Sequence, residues 1–130
     1  MKATIFEGAN GTGKTRTAFI IETILGKDKV CWLNGKEASV RNKFLFDQVT
    51  EKTELIIIDD CPKDFIYEKF MGYLGEGYHE LWIEKRGLVP IIINAPKFLF
   101  ITDKIPQRLF IGVSNTHRYD VVKFPLYKLQ

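Results

Sequence analysis

The sequence predicts a three-layer α/β fold: a mostly parallel five-stranded sheet covered by helices, with a β-hairpin inserted late in the chain. Three observations carry that prediction. Short β-rich runs alternate with segments of helical spacing, as in chains whose parallel strands are joined by crossing helices. Leu55-Ile56-Ile57-Ile58 is a continuous apolar run rich in β-branched residues, which suits a strand buried on both faces. Gly8 to Thr15 is a glycine-rich loop set between a strand signal and a helix signal.

The elements follow in order. Residues 2 to 7 (KATIFE) form a first strand that stops at Gly8. Residues 14 to 25 place Ala18, Ile21 and Leu25 at i, i+3 and i+7 before Gly26, the spacing of a helix with one apolar face. Val30 to Leu33 is a second strand, and residues 37 to 49 carry Val40, Phe44 and Val49 at roughly helical spacing. The third strand, 55 to 58, ends in Asp59-Asp60, where its carboxyl end meets solvent. A helix is expected over 65 to 74, from Ile66, Phe70, Tyr73 and Leu74, stopped by Gly75 and Gly77. His79 to Glu84 and Val89 to Ile93 flank Lys85-Arg86-Gly87 as a hairpin with a charged tip. Phe98 to Ile101 is a fourth sheet strand, Ile105 to Phe110 a short helix, and Tyr119 to Phe124 the last strand before Pro125.

Composition sets the frame for these elements. A chain of 130 residues supports one domain, 1–130, with a real core. With 45% apolar and 27% charged residues it matches ordinary globular proteins, which excludes a disordered or collagenous chain. The net charge of +3 permits phosphate or nucleic-acid partners without arguing for them. Cys31 and Cys61 are far apart and only His79 and His117 could join them, so a structural zinc site is not expected and a reducing compartment fits. No apolar run reaches the roughly 18 residues of a membrane span, and Glu7 and Gly8 interrupt any signal peptide. The expected setting is a cytoplasm.

Gly8-Ala9-Asn10-Gly11-Thr12-Gly13-Lys14-Thr15 matches G-x-x-x-x-G-K-S/T. The mechanism needs these residue types. Glycines let backbone N–H groups wrap a phosphate, and the helix N-terminus adds a favourable dipole. Lys14 neutralises charge on the β- and γ-phosphates, and the Thr15 hydroxyl is a magnesium ligand. Asp59-Asp60 supplies the second half of such a site: Asp59 for the metal, Asp60 as the base that polarises an attacking water. Taken alone, two acids before Pro62 also read as a helix N-cap.

The succession FEGANGTGKT, LIIIDD, LWIEKRGLVPIII, FLFITDKIP and HRYDVVKF resembles the ATPase domain of superfamily 3 helicases, especially in replication initiators of small circular single-stranded DNA viruses. The resemblance spans nearly the whole chain. It implies an AAA+-like P-loop NTPase fold, with an additional strand between the phosphate strand and the Asp-Asp strand. It also implies magnesium-dependent ATP hydrolysis and action on single-stranded DNA in replication.

The same resemblance assigns further residues. Lys85 matches the hairpin lysine that these helicases point at single-stranded DNA in a central pore, with Arg86 assisting; by its residues alone, E-K-R-G is also an ordinary solvated turn. Trp82 and Tyr78 nearby have the chemistry to stack on bases, but an aromatic on a strand is more often core, and core is the expectation for Trp82. Thr102 matches a polar sensor that touches the γ-phosphate or the attacking water. Here the family's I-T-S-N is replaced by Ile101-Thr102-Asp103-Lys104. That removes the sensor asparagine and brings the Asp103 charge near phosphate, unless metal or Lys104 offsets it. Arg118 matches an arginine that reaches into a neighbouring subunit, worth about 10³ to 10⁵ in rate where it acts. Arg108 competes for that role, and each also reads as a surface arginine. His117 reads as a loop residue.

Met1 falls a few residues before the first strand, so neither an endonuclease domain ahead of the ATPase nor the family's helical collar is expected. A ring-shaped homo-oligomer and a separate nuclease or initiator partner are the assemblies the resemblance implies. Two alternatives stand beside it. A nucleoside or nucleotide kinase would use the same loop, although the arginine-rich lid usual for such enzymes is absent. A nucleotide-binding switch would keep the loop and lose turnover through Asp103-Lys104.

Overall fold

A computed structural model describes residues 3–38, 44–62, 80–103 and 119–125. Its strands are β1 (Ala3–Glu7), β2 (Val30–Asn34), β3 (Leu55–Asp59), β4 (Glu80–Ile83), β5 (Ile91–Asn94), β6 (Lys97–Thr102) and β7 (Tyr119–Lys123), with helix α1 over Lys14–Leu25. Five of the strands form one sheet in the order β2-β3-β6-β1-β7. Every pairing in it is parallel. β6 therefore lies between β1, which leads into the glycine loop, and β3, which ends at the aspartates. This is the additional strand expected between those two.

Alternation along the strands sorts the core onto two faces. In β3, Ile56 and Ile58 join Ala3, Ile5, Phe98 and Phe100 on one face, while Leu55 and Ile57 join Phe6, Leu99 and Ile101 on the other. Ala18 of α1 packs on the second face with the partly buried Ile21 and Leu25 beside it, so the predicted i, i+3, i+7 stripe is the one that faces the sheet. The first face is covered by Leu81, Ile83 and Ile93 of the hairpin and by Leu45, Phe46 and Val49. Helix, sheet and hairpin thus make three layers. Ile56, Ile57, Ile58, Phe98 and Phe100 are among the largest fully buried side chains, and each stabilises the sheet by about 1.5–3 kcal/mol.

Two expectations are corrected. Of the helix expected over 37 to 49, residues 39–43 lie outside those described and residues 44–48 form turns instead, with Asp47 N–H donating to Phe44 O and Val49 N–H to Phe46 O, both at 3.0 Å. The Asp47 and Val49 carbonyls, which a continuing helix would satisfy internally, accept instead from the Lys85 ammonium. Trp82 is exposed, not core. The hairpin pairs Trp82 with Ile92 and Leu81 with Ile93, and Leu81 and Ile83 take the inward positions, which turns Trp82 and Ile92 outward. The helices expected over 65 to 74 and 105 to 110 lie outside the described residues. Among those described, no helix is long and apolar enough to cross a membrane.

Candidate nucleotide site

The carboxyl ends of the parallel strands bring the motif residues together. β1 hands the chain to Gly8, whose N–H donates to Thr102 O at 3.2 Å, while Phe124 N–H donates to Glu7 O at 2.7 Å. The loop is thereby anchored to β6 and to the end of β7. Thr12 Oγ1 donates to Ala9 O at 2.8 Å and closes the turn from within. Gly13, at φ 92°, precedes the first helical residue, in a left-handed conformation that a side chain would strain.

Lys14 begins α1 and is buried. Its ammonium donates across the loop to Gly8 O and to Thr102 O, the latter at 3.1 Å. Carbonyl dipoles compensate the buried charge, and they hold it beside the loop's backbone N–H groups, where a phosphate would be received. One residue on, the Thr15 hydroxyl donates to Asp59 Oδ1 at 3.3 Å. Lys14, Thr15, Asp59, Asp60 and Thr102 line one cavity of about 190 Å³, together with Asn10, Ile101 and Asp103.

Thr102 is the unusual member. Its backbone carbonyl accepts from Lys14 and Gly8, yet its hydroxyl is buried with no hydrogen-bond partner among the described residues. A buried hydroxyl left unsatisfied costs about 1–3 kcal/mol, and this one belongs to the cavity wall. Asp60 is the single non-glycine residue with positive φ among those described, at 53°. It is exposed, and directly after it Cys61 N–H donates to Ile101 O at 2.8 Å. Burial, and secondly the Asp60 charge, pushes the Cys61 thiol well above its ordinary range, so it stays protonated.

A hydroxyl and a carboxylate from adjacent strand and helix ends form the hard-oxygen donor set that suits magnesium, which keeps several waters and shares phosphate oxygens. Thr15 and Asp59 fit that role, and no cluster of three His, Cys, Asp or Glu ligands for another metal occurs among the described residues.

The residues proposed for DNA lie elsewhere. Lys85 is half-buried, its ammonium donating to Asp47 O at 2.7 Å and Val49 O at 3.4 Å. Arg86 is exposed, with its guanidinium 5.1 Å from the centre of the Phe44 ring. Both tie the hairpin tip to residues 44–49. Arg118, Arg108, His117, Lys104 and Tyr78 fall outside the described residues. A cavity of about 730 Å³ between α1 (Ile21, Leu25) and Phe6 and Leu99, near the starts of β3 and β6, contains none of the motif residues.

Sequence reading missed the turn after β2. Gly35 lies so close to the aspartates that a Cβ on it would stand 1.8 Å from Asp60 O and 2.7 Å from Asp59 O. Asn34-Gly35, an Asn-Gly pair following a strand, was the available signal.

No family model and no curated protein matches the sequence. Solved structures do. The apo C-terminal region of NrS-1 matches with a TM-score of 0.68 at 15% identity, covering 96% of this chain and 28% of that one. A point mutant of Thermotoga maritima RuvB gives a TM-score of 0.59 at 15% identity, covering 98% and 40%. NtrX from Brucella abortus, solved in complex with ATP, gives 0.58 at 14% identity, covering 95% and 31%. The fold is that of the P-loop NTPases. As in that fold, the glycine loop joins a central strand to a helix, and the aspartates end a strand one position removed. The chain spans well under half of each of these P-loop structures.

Proposed function

We propose that this protein binds ATP with magnesium and hydrolyses it, as a superfamily 3 helicase-like ATPase acting on single-stranded DNA in replication. The observation that carries the reading is the convergence of Lys14, Thr15, Asp59, Asp60 and Thr102 on one cavity at the end of the glycine loop. Bound magnesium supplies charge neutralisation at the phosphates, with Thr15 and Asp59 holding it. Lys14 moves from carbonyl partners to the β- and γ-phosphate oxygens. Asp60 takes the proton from the attacking water as the water oxygen bonds to the γ-phosphorus and the bond to the bridging oxygen breaks, releasing ADP and phosphate. The Thr102 hydroxyl donates to the γ-phosphate or the water. Arg118 of a neighbouring copy completes the charge in a ring-shaped homo-oligomer, and a nuclease or initiator activity is supplied by a separate partner.

The DNA part of the reading is supported by the hairpin between β3 and β6, whose tip carries Lys85 and Arg86. Arg86 is the exposed one, and Lys85 reaches a phosphate by leaving the Asp47 and Val49 carbonyls. One observation favours a second reading. Asp103 shares the cavity with Thr102 and places negative charge where phosphate would sit, which suits a switch that binds ATP without turnover.

The test is phosphate release from Mg-ATP with and without single-stranded DNA, beside Lys14→Ala, with Lys85→Ala and Arg86→Ala as the hairpin arms. DNA-stimulated release that is lost in Lys14→Ala and blunted in the hairpin variants supports the motor. Tight ATP binding without release supports the switch, and transfer of phosphate to a nucleoside supports a kinase.

A further inference from the structure

The turn that ends β2 borders the cavity of the candidate nucleotide site through Asp60. Lys36 N–H donates to Asn34 Oδ1 at 2.9 Å, and Gly35 is pressed against the main chain of the aspartates. β2 and β3 are in register with Asn34 opposite Asp59. The position of Lys36 relative to Asp60 is therefore set by the strand register, by the packing of Gly35 on the Asp60 backbone and by the Asn34 side chain. Lys36 lines two cavities that both include Asp60: one of about 410 Å³ with Trp32, Asn34 and Asp59, and one of about 310 Å³ with Cys61, Thr102 and Asp103. Asp60 is also part of the cavity that holds Lys14 and Thr15.

Charge makes the placement informative. Asp59, Asp60 and Asp103 put three carboxylates around one cavity, where Lys14 is the cation among the described lining residues. A triphosphate adds more negative charge than one divalent ion and one lysine cancel. Across the cavities that share Asp60, the other cation among the described residues is Lys36. Its four-carbon stem and three rotatable donors suit a partner that arrives only with the ligand.

We infer that Lys36 is a γ-phosphate residue: with ATP bound, its ammonium swings over Asp60, offsets the charge of Asp60 and Asp103, and donates to the terminal phosphate. This rests on the ATP-binding reading. It gives the chain a cation of its own at the position where the Asp103 charge is least favourable. It also makes the turn after β2 responsive to whether the third phosphate is present.

The experiment is calorimetric titration of Mg-ATP and Mg-ADP into wild type, Lys36→Met and Lys36→Arg. Lys36 is exposed and its backbone makes the turn contact, so neither variant disturbs folding, and a melting curve checks this. The expected result is ATP binding weakened about tenfold in Lys36→Met, with ADP binding changed by less than about twofold and Lys36→Arg close to wild type. Equal loss for both nucleotides, or no loss for ATP, overturns the assignment. Wild type that binds neither nucleotide overturns the ATP reading itself, and the role of Lys36 falls with it.

Discussion

The Thr15 hydroxyl at the start of α1 donates to Asp59 Oδ1 at the end of β3, 3.3 Å apart across 44 positions of sequence. Two elements meet there that have no local reason to be close. Replacing Thr15 by Val keeps the shape and removes the oxygen. We expect Mg-ATP affinity to fall at least about tenfold, while affinity measured with a chelator matches wild type, because only the metal-dependent part is lost. The fold loses one partly exposed hydrogen bond, about 1 kcal/mol. Equal weakening with and without magnesium would assign the hydroxyl to packing.

Gly35→Ala tests how rigidly the Asp pair is held. The new methyl would sit 1.8 Å from Asp60 O, a backbone atom, so a side chain cannot turn aside to admit it. Either β2 ends differently or the Asp59–Asp60 peptide moves. The expected cost is about 3 kcal/mol or more, seen as a melting point lowered by about 10 °C or more, with ATP binding impaired in whatever remains folded. A variant that melts like wild type would mean that the turn yields easily.

What the sequence disclosed and what it withheld divide along a physical line. The glycine loop, the buried β3 run and the Asp pair are local patterns, and each constrains its own backbone. An additional strand between β1 and β3 was implied by the family resemblance alone, and β6 occupies that position. Trp82 was misplaced because both alternating sets of the hairpin are apolar: Leu81, Ile83 and Ile93 compete with Trp82 and Ile92, so period-two patterning leaves the inward face undecided. Gly35 against Asp60, and Lys85 on the carbonyls of Asp47 and Val49, are contacts between distant segments made with backbone atoms. Residue types carry little trace of those.

Cys61 predicts a loss of stability at alkaline pH. Burial first, and the Asp60 charge second, hold its thiol pKa above the ordinary 9.0. As pH rises past about 9, the unfolded thiol releases its proton and the folded one keeps it, so the folded state binds more protons and stability falls. The contribution is complete below that pH and declines by up to about 1.4 kcal/mol per pH unit above it. Urea unfolding at pH 8 and pH 10 should show a shallower decline in Cys61→Ala than in wild type. Cys31, shifted in the same direction by burial and then by Asp47, accounts for part of the decline that remains. Identical slopes would show that the Cys61 thiolate is tolerated inside.

Thr102 separates function from stability most sharply. Its carbonyl is used twice, by Lys14 and by Gly8, and neither bond depends on the side chain. Its hydroxyl is buried in the cavity wall with no partner among the described residues. A residue selected for packing alone would be better as Val, which has the same shape and no polar atom to desolvate. Thr102→Val should therefore stabilise the nucleotide-free protein by about 1 kcal/mol, while phosphate release from Mg-ATP falls. The two effects have opposite sign, so a folding defect cannot imitate the pair. A destabilised Val variant would mean that the hydroxyl already has a partner in the resting protein. A stabilised variant with unchanged turnover would remove Thr102 from the chemistry and leave the γ-phosphate to Lys14 and Asp60.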